Sequence, residues 1–393
     1  MARSIAAIVE PKILTWARAT AGLSIDDAAR SIQTKPEKVE AWERGEESPS
    51  MAQLRKMAAA YKRVLSDFYL PAVPREGAIP HDFRRLPGEV ALHYSRALRY
   101  QLRIAAERRE LALDLADELD SEVPTVDGHL RLDADAEQSG AELRRQLRTT
   151  IDKQRIWRDP RAGYNGWRAA IERAGILVFQ AVGIPTTEML GFSLSERPLP
   201  VIGVNRKLRP NGRTFTLLHE CVHVYLGESS ICDIEDGVLR PPEEERVEIF
   251  CNAVAAAALV PLDNLLAEPL VRAQPARPRD WSAAELAALS RTFSVSEEVI
   301  LRRLLTAGRT SQDFYAARRA AWGGLMQDVQ PSDPDAEMKR NMPQEVLSDL
   351  GRPFTQIVVN SYQNSYTSLS DVTRYLGLKA EKIAKLEELL AGH

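Results

Sequence analysis

The chain has 393 residues, 44% hydrophobic and 27% charged, which suits an ordinary globular protein of two to four domains. Its formal net charge of −3 excludes polyanion binding by the chain as a whole, so any nucleic-acid contact must come from a local patch. Three cysteines, Cys221, Cys232 and Cys251, are too few and odd in number for a disulfide framework, and they suit a reducing cytoplasm. No signal-peptide core stands at the N-terminus and no run reaches 18 uncharged apolar residues, so a cytoplasmic protein without a membrane partner is expected.

Residues from Lys12 to Leu70 read as a bundle of four or five short helices. Ile13 to Ala21 ends at Gly22. Ser24 caps a second helix with Asp26 and Asp27 in its first turn, running to Ile32. Thr34 is expected to cap a third, with Pro36 at its start and its end at Gly45. Ser50 opens a fourth, Met51 to Tyr61. Two short helices joined by a tight turn form a helix-turn-helix pattern. Through Ser24-Ile25-Asp26-Asp27-Ala28-Ala29 and Val39-Glu40-Ala41-Trp42-Glu43-Arg44-Gly45 this segment resembles the Cro/repressor-like (XRE) family. Recognition helices set basic side chains against phosphates. Here Lys35 to Glu47 is net negative, so DNA reading would rest on Gln33, Lys35 and Lys38, and a protein-docking or dimerisation role, including a homodimer, stands beside it.

Ala72 to Pro80 is a linker by its Pro and Gly content, followed by His81-Asp82-Phe83-Arg84-Arg85. A long helix is expected from Tyr94 to Ser121. Arg96, Arg99 and Arg103 share one face of it, either along a DNA backbone or in solvent. Val123 to Asp135 is a polar connection containing His129, and Ala136 to Trp157 reads as one further helix. Trp167 to Ala174 leads into three strands, Ile176 to Gln180, Leu190 to Leu194 and Val201 to Val204, forming a small antiparallel or mixed sheet.

Thr216 to Gly227 contains His219-Glu220-Cys221-Val222-His223 in an apolar run without Gly or Pro before Gly227. On a helix of 3.6 residues per turn, His219 and His223 stack on one face and can share a Zn²⁺, with Glu220 beside them to activate a water. Such a site needs a third ligand. Gly227 to Pro242 is a rim loop, and the helix-forming run from Val247 to Pro261 carries Glu248, a carboxylate among apolar residues where an unpaired charge is costly. Asn252 lies one turn on, placed to orient Glu248 or to hold a water. Cys251, three residues past Glu248, is either a small buried packing residue or a thiol near the metal.

His219, Glu220, His223, Glu248 and Asn252 match the H-E-x-x-H and E-x-x-x-N-x-x-A-A pattern, and the segment from Trp167 to Ala320 resembles the ImmA/IrrE metallopeptidases. The resemblance implies that Glu248, rather than Glu244 or Glu245, is the third ligand, and that the substrate is a helix-turn-helix repressor whose cleavage releases a stress, phage or mobile-element operon. A His₂Glu set also tolerates Mn²⁺ or iron. In H-E-x-x-H proteases a sheet edge pairs with extended substrate, here expected near Val201 to Val204. No histidine follows the metal helices before His393, so oxyanion stabilisation would fall to a Tyr, an Arg or backbone N–H groups.

Beyond a linker at Val329 to Asp335, the tail reads as helices at Phe354 to Tyr362, Thr367 to Leu376 and Lys379 to Leu390. The whole is expected to be α+β and mostly helical. Residues 1–71 form a helix-turn-helix bundle, 72–160 a linker and helical connector, 161–325 a zincin-like metallopeptidase core, and 326–393 a helical C-terminal region. The function expected is regulatory zinc-dependent proteolysis. The alternative is a DNA-binding regulator or antitoxin with an idle or structural metal site.

Overall fold

A computed structural model describes residues 6–74, 94–232, 242–325 and 342–392. The His81 to Arg85 motif, His93, His393 and the Val329 to Asp335 linker therefore lie outside the described residues. The described chain is α+β and mostly helical, and it forms two compact units that divide between Ile104 and Ala105.

The first unit holds α1 (Pro11–Thr20), α2 (Ile25–Ile32), α3 (Pro36–Arg44), α4 (Met51–Tyr61), a 3₁₀ turn at Leu65–Tyr69 and the start of α5 (Arg96–Glu118). Leu14, Ala28, Ile32, Val39, Trp42, Leu54, Tyr61 and Phe68 make its core. Ser24 caps α2 by accepting from the Asp27 N–H, and Ser50 with Gln53 closes a capping box on α4. The cap of α3 is Lys35, not Thr34: Pro36 occupies the first turn, and the side chain of Lys35 cannot accept a hydrogen bond.

The second unit begins with the remainder of α5. The expected single helix at Ala136 to Trp157 is two, α6 (Ala136–Gln146) and α7 (Ile151–Ile156). Arg148 adopts a left-handed conformation between them, and Thr150 starts a new helix by accepting from the Lys153 N–H. Then come α8 (Pro160–Arg173), β1 (Leu177–Ala181), β2 (Gly191–Leu194), β3 (Val201–Asn205), α9 (Pro210–Leu226), β4 (Ser230–Cys232) and α10 (Pro242–Leu259). The short helices α11 (Leu262–Ala267) and α12 (Pro269–Arg272) precede α13 (Ala283–Phe293), α14 (Glu297–Thr306) and α15 (Gln312–Leu325). Ser296 caps α14 by accepting from the Val299 N–H.

The sheet is mixed and four-stranded, in the order β1-β3-β2-β4. β1 runs parallel to β3, while β2 is antiparallel to both β3 and β4. Every residue of β1 and β3 is buried, which explains their unbroken apolar runs. β3 is paired on both sides, so Val201 to Val204 is not an edge able to receive an added strand. Among the described residues the edges are β1 and β4, and β4 lies in a segment whose sequence read only as a loop. α9 packs against β2, β3 and β4 and also against α8 and α10, giving it an almost wholly buried C-terminal half.

Four further helices, α16 (Met342–Leu350), α17 (Arg352–Gln363), α18 (Leu369–Leu376) and α19 (Ile383–Ala391), belong to the same unit, and α16 packs on β1. Gln180 donates to the Ser348 carbonyl at 2.9 Å and to its hydroxyl at 2.8 Å. Arg168, held by Glu172, donates to the β1 carbonyl of Val178 at 2.6 Å. Phe354 meets Phe179 edge to face at 5.7 Å. No described helix is long and apolar enough to cross a membrane. Because Phe354 is fully buried, Phe354→Ala should destabilise the second unit by about 3–5 kcal/mol, read as an earlier urea midpoint. An unchanged midpoint would contradict the packing of these helices on β1.

Candidate metal centre

The helix α9 is opened by Pro210 and closed by Gly227, which takes the left-handed conformation at the C-cap. Its i, i+4 spacing sets His219 and His223 on one face, with ring centroids 4.9 Å apart and ring planes 60° apart. α10 runs beside it through Cys251, Val254, Ala255 and Ala258, which share one core with Leu217, Cys221 and Val224. α10 is itself held close to α6: a Cβ on Gly140 would lie 2.7 Å from Ala257 Cβ and 2.8 Å from the Ala258 nitrogen. Small residues therefore set how deep α10, and with it Glu248, can sit.

His219, His223 and Glu248 are all buried and their ligating atoms lie within 4.8 Å of one another. The two imidazole Nε2 atoms are 3.1 Å apart. Glu248 Oε2 is 3.4 Å from His219 Nε2, and Glu248 Oε1 is 3.2 Å from His223 Nε2. Ligands at ordinary zinc distances and tetrahedral angles stand about 3.3 Å apart. The donor set thus fits one face of a tetrahedral divalent ion, with a borderline-soft pair of imidazoles and one hard carboxylate. Burial pushes the Glu248 carboxyl up, but the two facing imidazoles outweigh it and hold the group far below the usual carboxylate range. Burial pulls His219 down, and the Glu248 anion more than reverses that.

Asn252 does not orient Glu248. Its Oδ1 lies 3.1 Å from His219 Nδ1, so the ring N–H donates there and the Nε2 lone pair faces the other two ligands. Glu220 is fully buried beside the cluster. Its Oε2 accepts from Ser230 Oγ of β4 at 2.7 Å, and its Oε1 has no hydrogen-bond partner among the described residues. Burial raises its pKa, against the opposing pull of His223 and His219. Gly191 lets β2 come this near: a Cβ there would stand 2.5 Å from Thr216 Cγ2 and 3.0 Å from Glu220 Oε1. Glu243 and Glu245 are exposed at the start of α10, where the helix dipole favours them. Cys251 is fully buried and burial pushes its thiol well up, so it packs as a neutral side chain. His129 is an exposed loop residue. Ser230 was missed from sequence because β4 was; a serine three residues past Gly227 carries no signal of its own.

The fold and this constellation define a zincin-like domain built around a His-Glu-x-x-His helix. Residues 171–305 match the IrrE N-terminal-like domain of the Peptidase_M78 family. Over 103 residues it is 35% identical to the radiation response metalloprotease IrrE of Deinococcus radiodurans, covering 25% of this chain and 31% of that protein. The chain thus spans about a third of the length of the curated relative it matches. No solved structure matches the chain. A metalloprotease family implies a divalent ion at such a site.

The groups named for DNA contact are largely engaged within the first unit. Gln33 closes α2 in a left-handed conformation and accepts from Lys56 at 3.1 Å. Lys38 pairs with Glu47, and Arg44 with Glu46 and Glu40. Lys35 is exposed at the start of α3. Arg96 donates to the Ala60 carbonyl and Arg103 to those of Tyr61 and Lys62, so both cap the C-terminus of α4. Arg99 donates to the Tyr94 carbonyl.

Two outcomes follow. Purified protein should carry one divalent ion per chain by mass spectrometry; Glu248→Ala should lose it, and Asn252→Ala should weaken it by about 10–100-fold. Duplex DNA should bind only at a non-specific level, about 10⁻⁴–10⁻⁶ M at physiological salt, with scrambled sequence bound equally well. Tight, sequence-selective retardation would overturn the second expectation.

Proposed function

We propose that this chain is a zinc-dependent endopeptidase with a regulatory task, cutting a partner helix-turn-helix repressor to release a stress, phage or mobile-element operon. The observation that carries the reading is the buried His219, His223 and Glu248 face with Glu220 alongside, its Oε1 without a hydrogen-bond partner among the described residues. A divalent ion held by the three ligands would supply Lewis acidity, polarising the scissile carbonyl and activating the attacking water. Glu220 Oε1 takes the proton from that water and returns it to the leaving amine. Asn252 keeps His219 in the tautomer that presents Nε2. Zinc suits the His₂Glu set, and Mn²⁺ or iron would also be accommodated.

Substrate enters as an extended segment along β4, since β3 is interior and β1 is covered by α16. Strand addition at that edge would lay the peptide backbone beside the motif helix. A narrow, regulated substrate is supported by the similarity to a protein named for the radiation response and by the repressor-like bundle carried in the same chain.

The test is co-expression with a candidate repressor, with and without stress, followed by mass spectrometry for a discrete cut. Glu220→Gln should keep fold and ion yet lose about 10²–10⁴-fold in turnover. Relief of repression by Glu220→Gln equal to that by the wild type would decide instead for a regulator with an idle metal site.

A further inference from the structure

The structure assigns the anchoring of Glu220 to a chain of two buried serine hydroxyls, Ser193 to Ser230 to Glu220 Oε2, which leaves Oε1 as the proton-exchanging oxygen; this rests on the peptidase reading above. Ser230 Oγ donates to Glu220 Oε2 at 2.7 Å. Ser193 Oγ lies 2.9 Å from Ser230 Oγ. A serine has one hydroxyl proton, and that of Ser230 is engaged with the carboxylate, so Ser193 must be the donor in the second contact. The chain is therefore directional and ends on Glu220 Oε2.

The two serines are registered partners across the β2–β4 ladder, so their side chains stand side by side on one face, towards α9. Ser193, Ser230 and Glu220 are each fully buried. Hydroxyls at two fully buried strand positions cost free energy that alanine would not, unless they are bonded. The bonds they make lead to Glu220. A second contact fastens the same strand: Ser229 Oγ accepts from the Ser195 N–H at 2.9 Å and lies 3.0 Å from Ser195 Oγ. Ser230 is a positioning residue. It fixes the plane of a carboxylate that would otherwise rotate about its side-chain torsions, so that Oε2 is held by the hydroxyl and Oε1 would be the oxygen left to exchange a proton.

The experiment compares wild type, Ser230→Ala and Ser193→Ala as full-length, metal-loaded protein. Infrared difference spectra against Glu220→Gln isolate the Glu220 carboxylate bands. Ser230→Ala should shift those bands, keep one ion per chain, and lower kcat about 10²-fold, the size of a misplaced catalytic group, on the repressor cut found by co-expression. KM should not move, because Ser230 Oγ is sealed from substrate. Ser193→Ala, which removes only the outer donor, should give a smaller loss in the same direction and carries the test should Ser230→Ala fail to fold. Unshifted bands, an unchanged kcat, or a loss confined to KM would overturn the assignment. If the wild type cuts nothing, the peptidase reading fails instead, and the infrared bands alone decide whether the hydroxyl chain holds Glu220.

Discussion

The second unit depends on one electrostatic requirement: a carboxylate, Glu248, must be buried between two imidazoles and remain charged. Isolated, such a group would take up a proton rather than bear the cost of desolvation. It stays ionised because His219 and His223 face it from a single helix one turn apart. That geometry demands that α9 and α10 lie close, and the sequence of α10 is written for it, with alanines at 253 and 255–258 along the contact region. Gly140 on α6 extends the same economy of volume to the far side of α10.

The C-terminus of α10 is secured as firmly as its ligand-bearing part. Arg144 donates to the Ala258 carbonyl, Gln154 to that of Leu259 and Arg303 to that of Val260. These are the carbonyls a helix leaves without partners, and two guanidinium groups there also complement the helix dipole. Arg144 remains buried against Trp167, and desolvation lowers its pKa to about 10, which still leaves it charged at neutral pH. α6 and α7 therefore act as a clamp on the helix that carries Glu248, which explains why the connector belongs to the second unit.

Much of this was legible in the sequence for a physical reason. Helical periodicity is local, so the placement of His219 and His223 on one face follows from four residues of spacing, and the caps at Ser24 and Ser50 follow from single side chains beside their helices. Glu248 stood out as a charge in an apolar run. What escaped was non-local or had too little pattern. β4 is three residues long and exists because β2 offers it a partner. Strand order has no signature in the strands themselves: β3 looks like an edge or a centre equally well until its neighbours are known. The break between α6 and α7 hides behind Thr149 and Thr150, one a buried side chain and the other a cap. Asn252 was placed on the right helix, yet its partner is His219 across the interface, not Glu248 along it.

Strand order also gives the two sheet edges different fates. At β1 the Val178 carbonyl is taken by Arg168, Gln180 is tied to Ser348, and Phe354 covers Phe179. These contacts come partly from α16 and α17, more than a hundred residues away in sequence, so the C-terminal helices complete the sheet rather than standing apart from it. An unpaired strand edge is a template for any passing strand, and closing β1 removes that hazard from the side remote from the metal cluster. Among the described residues β4 has no strand on its outer side, and its inner face holds Glu220 through Ser230. Under the peptidase reading proposed above, the strand along which a polypeptide would pair is also the strand that holds Glu220 in place.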